Sequence, residues 1–174
     1  MLREAGVEFD GVIAAENGGY NSFGGWIPAA ALNIPVVDIP GDGRAHPTSM
    51  MGSMGMHRVE YKSVKAGATE GAEMVCWGSL QRTSNQIRFM AEDCKAVIAM
   101  ARDPIPVKWC LEHGAPGAIQ QAIDLGHTYL KAKKGDAAVK AAARFLGGEL
   151  RDKGKILELR NEAKGGFRRR HYDN

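Results

Sequence analysis

Two short apolar runs, each followed by a carboxylate and a loop rich in glycine, constrain this chain more than any other feature. The first run covers residues 12–15, ends at Glu16 and leads into residues 17–25, which contain four glycines. The second covers residues 34–37, ends at Asp38 and leads into a loop over residues 40–47. Short apolar runs closed by glycines are typical of buried strands, and open α/β sheets bind ligands beyond the carboxyl ends of their strands. The pattern therefore predicts a ligand site formed by these loops.

The rest of the chain carries periodic signals for strands and helices. The predicted strands cover residues 7–15, 34–39, 58–64 and 155–159. The predicted helices cover residues 28–32, 83–102, 116–134 and 136–146, with Ser84 and Asp136 as caps and Asp103-Pro104 ending the second helix. Strands come first and helices later, which is typical of an α/β or α+β fold. We expect an α/β fold: a mixed sheet with Gly-rich loops at the carboxyl ends of its strands and helices concentrated in the second half.

Composition narrows the function classes. Three widely spaced cysteines argue against a disulfide framework and for a reducing compartment. No apolar run approaches the roughly 20 residues that span a bilayer, and no signal segment opens the chain. The basic run at residues 168–170 lacks interleaved aromatics, so a solvated tail is favoured over a nucleic-acid contact. We expect a cytoplasmic protein with a small-molecule substrate, no membrane and no nucleic-acid partner.

Glu16 and Asp38 are the first candidate functional residues. A carboxylate at a strand end can act as an acid or base or bind a metal ion, and it can also simply cap loop amides. If the two predicted strands are parallel neighbours, their carboxylates can come within proton-sharing or metal-bridging distance.

The two loops supply the other candidates. The amides of Gly18 and Gly19 can form an anion-binding nest, and Asn21 can hydrogen-bond an amide-like ligand, although a surface loop explains the same glycines. Arg44, presented after Gly43 between two prolines, suits a carboxylate or oxyanion. An internal salt bridge to Asp38 or Asp42 is the alternative interpretation of Arg44.

A divalent metal is a further hypothesis for the same loops. His46 can act as a ligand or proton carrier, and with Glu16 and either Asp38 or Asp42 it completes a set of oxygen and nitrogen ligands. No HxH or HExxH spacing supports this set. The cofactor is therefore unknown from the sequence, with a divalent metal as the one candidate.

These residues together resemble a known family. The matching positions are Glu16, Gly18, Gly19, Asn21, 35–38, Gly41, Gly43, Arg44, Ala45 and Pro47, with weaker similarity at 116–117, 121–126, 154–156 and 165–167. In this pattern the chain resembles the S-methyl thiohydantoin desulfurase N-terminal domain family, which is associated with hydantoinases. It departs from the family at Pro40 and His46, where the family tends to have an acidic residue and an aromatic one.

The resemblance implies a hydrolase-like activity on a small cyclic amide or thioamide, with removal of sulfur from a thiohydantoin-like ring. It assigns Glu16, Asp38 and Arg44 to catalysis and Gly18, Gly19, Asn21 and Gly43 to substrate binding. The metal hypothesis, which rests on the residue types and not on the resemblance, places the ion at Glu16, Asp38 and His46. The alternative function is that of a non-catalytic subunit, which binds a ligand or completes another chain's site. The expected protein partner is a second copy of this chain or a partner subunit. We expect a single domain over residues 1–174, resembling a truncated form of the family's N-terminal domain.

Overall fold

The fold is a mixed α/β arrangement whose helices lie mostly in the latter half, as predicted. The structure is a computed structural model, and it describes residues 1–44, 54, 56, 60–95, 97–155, 157–164 and 167–173. A 3₁₀ helix at Gly19–Ser22 comes first. The regular elements are α1 (Trp26–Leu32), β1 (Ser63–Thr69), β2 (Ala72–Gly78), α2 (Leu80–Asp93), β3 (Ala99–Arg102), α3 (Val107–His113), α4 (Ala118–Lys131), α5 (Asp136–Phe145), β4 (Glu158–Lys164) and β5 (Phe167–Asp173).

The described residues divide into two compact units, Met1–Pro116 and Gly117–Asn174. The first unit contains both glycine-rich loops and the three-stranded sheet, and the second contains α4, α5 and a hairpin of β4 and β5. The expectation of a single domain stays a prediction. None of the helices in the described parts of the chain has the length and apolar character needed to cross a bilayer.

The sheet of the first unit is antiparallel, with strand order β2-β1-β3. Its central strand places Lys65 opposite Cys76 on one side and opposite Arg102 on the other. Directly opposed residues of antiparallel strands point to the same face, so these three side chains form a row across the sheet. The alternate residues Val64 and Ala66 are buried in a cluster formed with the N-terminal residues.

The face that carries Lys65 also packs against α2. A Cβ built at Gly67 would meet Ile87 at 3.0 Å and the Met90 sulfur at 3.3 Å, so the helix lies directly on the strand. Glycine is needed here because the helix approaches the backbone closely. A second core cluster contains Ile39, Met54, Met56, Leu80 and Cys110, and it joins the second predicted loop region to α2 and α3.

The two strands predicted at residues 7–15 and 34–39 are much shorter than expected. They are reduced to a single parallel bridge between Val12 and Val36, in which the Val12 amide donates to Pro35 O at 2.9 Å and the Val37 amide donates to Val12 O at 2.8 Å. Pro35 has no amide hydrogen, which limits extension of the ladder. The two runs are therefore parallel neighbours, as predicted, but the predicted strands were too long.

The middle of the chain also differs from prediction. Residues 83–102 were predicted as one helix, but α2 begins at Leu80 and ends at Asp93, and β3 follows. The cap is Ser79, whose hydroxyl accepts from the Arg82 amide at 3.4 Å, and Ser84 lies buried inside the helix. The apolar residues after Asp93 fit a helical stripe by spacing, but they pair with β1 instead because tertiary pairing outweighs weak local periodicity.

Two further elements were missed or misplaced. The strand predicted at 58–64 begins at Ser63, and it turns through Glu70 and Gly71 into β2, with Gly71 at φ 77° as a two-residue hairpin loop requires. Residues 57–59 lie outside the described residues. Helix α3 had no counterpart among the predicted elements.

The second unit follows the predictions more closely. The helix predicted at 116–134 is confirmed as α4, and the one at 28–32 in the first unit is confirmed as α1. Asp136 is the first residue of α5, and Gly135 occupies the cap position. The late strand begins at Glu158, and the arginine run predicted as a solvated tail belongs to β5, which pairs with β4.

Candidate functional site

The loop that follows Glu16 is closed by its own polar side chains. The Ser22 hydroxyl donates to Asn17 Oδ1 at 2.6 Å and accepts from the Gly18 amide at 3.1 Å. Ser22 is buried, and the residues between form a single 3₁₀ turn. The Gly18 amide is therefore occupied within the loop, because the short turn brings a serine hydroxyl beneath it. The loop is consequently a preformed turn, with Gly18 held in place by its own chain.

Glu16 is positioned by the far end of the same turn. The Asn21 side-chain amide donates to Glu16 Oε1 in a short hydrogen bond. Asn21 is exposed and Glu16 is half-buried. The predicted ligand-binding amide thus orients the predicted catalytic carboxylate, since its nitrogen is directed at that carboxylate.

The two predicted loops meet, as the sequence indicated. The Asn17 amide donates to Asp42 O at 2.9 Å, and the Gly41 amide donates to Ala14 O at 3.0 Å. A Cβ at Gly41 would lie 2.6 Å from Ala15 O, so only glycine allows the second loop to approach the first so closely. The backbone of both loops therefore holds Glu16 and Asp42 in one region.

Arg102 contributes a half-buried cation at the end of β3. Its Nε and Nη1 atoms are buried and make no hydrogen bond with the described residues. Burial lowers the pKa of the Arg102 guanidinium, and the carboxylates of Asp103, Glu16 and Asp42 oppose that effect, in that order. A buried donor without a partner is rare, because its desolvation is not repaid by a hydrogen bond.

A buried ion pair fixes the end of β3 beneath Arg102. Asp103 accepts from Lys65 Nζ at 2.5 Å, from Ser63 Oγ at 2.6 Å and from the Val64 amide at 3.1 Å. Both charged side chains are fully buried, and burial lowers the pKa of Lys65 while Asp103 opposes that shift. Thr83 of α2 joins the network through Ser63 at 2.8 Å. Arg102 is therefore held on a rigid strand end.

Tyr61 contributes a second buried polar group. Its buried hydroxyl lies beside the side chains of Ser63 and Asp103. Burial raises the pKa of Tyr61 well above its ordinary value, and the neighbouring Asp103 carboxylate raises it further. The phenol is consequently a neutral donor over the whole physiological range.

Part of this arrangement lies in residues that are similar to a known protein family. The family described as S-Me-THD-like, N-terminal domain, matches residues 1–77. The start of this chain is therefore similar to that family. The match confirms the resemblance carried by Glu16, Asn21 and the second loop. No curated protein and no solved structure matches the chain.

The S-Me-THD-like match ends inside β2, before the sheet is complete. The third strand and the residues Arg102 and Asp103 lie beyond residue 77, and so does the later similarity that the sequence suggested. The structure therefore closes the S-Me-THD-like region with elements that the family match does not include.

The other predicted site residues differ in how far they are buried and in whether the structure describes them. Asp38 follows the Val36 bridge, is half-buried and already engages in an interaction. Arg44 is exposed, and Gly43 is exposed two residues after Gly41. His46 lies outside the described residues. The catalytic roles given to Asp38 and Arg44 stay predictions.

The predicted metal set of Glu16, Asp38 and His46 stays a prediction, because His46 lies outside the described residues. Among the described residues, no group of three or more histidine, cysteine, aspartate or glutamate side chains could hold a metal ion. One oxygen of Glu16 accepts from the Asn21 side chain.

Sequence reasoning missed Arg102, Asp103, Lys65 and Tyr61. The sequence predicts a helix that ends at Arg102 and Asp103, and no motif surrounds Lys65 or Tyr61. The usable signal was the alternation of residues 63–69, which predicts that Lys65 lies on the same face as Ser63 and Gly67. A charged residue on a buried strand face needs a partner, so that pattern implies an acidic residue elsewhere in the fold.

Proposed function

We propose that the S-Me-THD-like domain is hydrolase-like and acts on a small cyclic amide or thioamide of the thiohydantoin or hydantoin type. The family match over residues 1–77 supports the substrate class. The observation that carries the proposal is Glu16, held by Asn21 on a loop inside the matched region, together with Arg102, whose Nε and Nη1 atoms are buried and make no hydrogen bond with the described residues. A positioned carboxylate beside a buried cation provides a proton acceptor and a stabiliser of negative charge in one place.

The reaction we propose is hydrolysis at the ring carbon that carries sulfur. Glu16 takes a proton from water as the water oxygen adds to that carbon. Negative charge develops on the ring, and Arg102 stabilises it. The carbon–sulfur bond then breaks, the sulfur leaves with a proton as methanethiol, and the ring keeps the oxygen as a hydantoin. In this proposal Asp38 helps to orient the water and Arg44 shares the stabilisation of the developing negative charge, which are the catalytic roles that the resemblance implies.

The test is turnover of an S-methyl thiohydantoin by the full chain, followed by release of methanethiol. Glu16→Gln keeps the shape and the Asn21 contact but removes the proton acceptor, so we expect kcat to fall by at least about 10²-fold. Glu70→Gln in the hairpin loop is the matched control, because Glu70 is exposed and distant in the sheet from the loops. Unchanged turnover by Glu16→Gln would rule out this mechanism.

A non-catalytic subunit that completes another chain's site is a second candidate. One observation favours it: large apolar side chains beside the first loop are exposed, with Tyr20 at 84%, Phe23 at 55% and Ile27 at 82%. Several large apolar side chains exposed within one short segment are typical of an interaction surface. Calorimetric binding of a hydantoin without methanethiol release, together with a shift in mass by light scattering, would favour this function over catalysis.

A further inference from the structure

We propose that this protein forms a homodimer in which each copy covers an apolar surface at the first loop and α1 of the other. This aromatic surface consists of Tyr20, Phe23, Trp26, Ile27 and Leu32, all of which are exposed in one copy. Dimer formation needs no substrate, so it succeeds or fails independently of the proposed function.

The aromatic surface is built on consecutive turns that repeat every three residues. The Phe23 amide donates to Tyr20 O at 3.2 Å, and the Trp26 amide donates to Phe23 O at 2.9 Å. Side chains three residues apart eclipse one another in such turns, so these three rings lie on one side of the segment. The rings of Phe23 and Trp26 meet edge to face, with their centroids 5.1 Å apart. The surface is therefore formed before a partner binds.

The inward side of the same segment carries small side chains. Ser22 and Ala29 are buried, and a Cβ built at Gly25 would lie 2.7 Å from Val12 Cγ1. The segment thus packs on the first unit through small residues, while its large apolar side chains face outward. An amphipathic surface helix has the reverse arrangement, with its apolar side chains directed at the core. The inverted pattern indicates that the outward side is covered by another molecule.

Charge favours a second copy as that molecule. Residues 17–37 carry no charged side chain, and they are the longest uncharged stretch of the sequence. Residues 1–116 contain 10 lysines and arginines against 13 acidic residues, so two copies of this unit repel each other over their charged faces. In a two-fold dimer the same surface is used by both copies, and an uncharged surface can meet itself without bringing like charges together.

The same lack of charge argues against a lipid surface as the occupant. Helices that lie on membranes carry lysines and arginines on their polar face, which attract anionic headgroups. Residues 17–37 contain no lysine or arginine, and α1 has only seven residues. The segment therefore lacks the charge that would hold it at a membrane.

The size of the aromatic surface is close to that of a dimer interface. A covered aromatic side chain buries about 150–250 Å². Weighted by the exposed fraction of each side chain, the five residues offer roughly 600 Å² per copy. A standard interface buries about 800 Å² per partner and is enriched in tyrosine, tryptophan and phenylalanine. Flanking uncharged residues of the same segment supply the remainder.

A dimer of this kind also borders the candidate site. Asn21 follows Tyr20 directly, and its side-chain amide donates to Glu16 Oε1. A copy that covers Tyr20 therefore adjoins the loop that carries Glu16 in both chains.

The experiment is sedimentation equilibrium of the full chain over a concentration series. We expect the wild type to reach twice the mass of one chain. Ile27→Asp places a carboxylate on the aromatic surface of each copy, and we expect it to raise the dissociation constant at least about 30-fold. Ile27 is 82% exposed in one copy, so the variant chain should stay folded. Phe89→Asp is the matched control, because Phe89 is a similarly exposed side chain on α2, and it should leave the dimer unchanged.

Thermal unfolding shows whether each variant is folded, and Tyr20→Lys provides a second exposed position if Ile27→Asp does not fold. A wild type that stays monomeric over the whole series would overturn the proposal. A dimer that Ile27→Asp and Tyr20→Lys leave intact, or that Phe89→Asp disrupts equally, would also overturn it. Flotation with vesicles of phosphatidylcholine and phosphatidylserine tests the lipid alternative. Binding of a monomer to these vesicles that Ile27→Asp abolishes would assign the surface to a membrane and overturn the dimer.

Discussion

At the scale of single residues, the buried charges of the first unit decide most of what the site can do. Lys65 and Asp103 are completely buried and form an ion pair. Asp103 also accepts hydrogen bonds from the Ser63 hydroxyl and the Val64 amide. Buried ion pairs add little net stability, but a pair left half-broken is very costly. Their function here is therefore positional, since they fix the end of the strand that carries Arg102.

Replacing Asp103 tests this position directly. Asp103→Asn leaves the Lys65 ammonium buried without a counter-ion, and we expect a loss of about 3–5 kcal/mol in the free energy of unfolding. Urea denaturation followed by circular dichroism measures it. The control is Asp136→Asn, which breaks an exposed pair with Lys153 and should change stability little.

A double variant completes the test. Lys65→Met combined with Asp103→Asn removes both charges and keeps an acceptor oxygen for Ser63 and the Val64 amide, so it should recover much of the stability lost by Asp103→Asn alone. Equal stability of Asp103→Asn and the wild type would contradict the buried pair.

At the scale of elements, the site depends on how closely two loops can approach. The second loop reaches the first only where Gly41 meets the Ala15 carbonyl. The sequence predicted both loops and their convergence, because glycines and prolines bound each apolar run. It did not predict β2, α3 or the switch from helix to strand after Asp93, because those depend on pairing partners far away in the chain.

Gly41→Ala tests the approach of the loops. The new methyl group would lie 2.6 Å from Ala15 O, so the loop must shift, and we expect a loss of about 1–3 kcal/mol in the free energy of unfolding together with weaker hydantoin binding. Gly43→Ala is the matched control, because its Cβ would lie 3.8 Å from the Ala115 side chain in ordinary contact. We expect Gly43→Ala to leave stability within about 0.5 kcal/mol. Equal stability of the two variants would show that the close approach is unimportant.

At the scale of the whole molecule, the chain divides at Gly117 into two units of opposite charge. Residues 1–116 contain 10 lysines and arginines against 13 acidic residues, and residues 117–174 contain 13 against 7. The family match lies wholly inside the first unit but stops short of β3. All of the described site residues also lie in the first unit, so that unit carries the proposed function.

Expression of residues 1–116 alone tests this division. We expect a folded fragment with one cooperative urea transition, because the sheet, both core clusters and the buried ion pair are all internal to it. It should bind hydantoin as the full chain does. A fragment of residues 1–77 is the comparison, and we expect it to be unfolded because it lacks β3 and α2. An unfolded 1–116 fragment would instead support a single domain over the whole chain.

The sequence by itself determined the family resemblance, the mixed α/β class, the two loops, and Glu16 as the leading candidate. Those features are local: glycine permits tight turns, and short apolar runs favour buried strands wherever they occur. Only the tertiary structure decided that Arg102, Tyr61 and the Lys65–Asp103 pair surround the same region. Their roles come from register across β1 and β3 and from burial, and neither property can be read from neighbours in the chain, because both depend on contacts between residues about 40 positions apart.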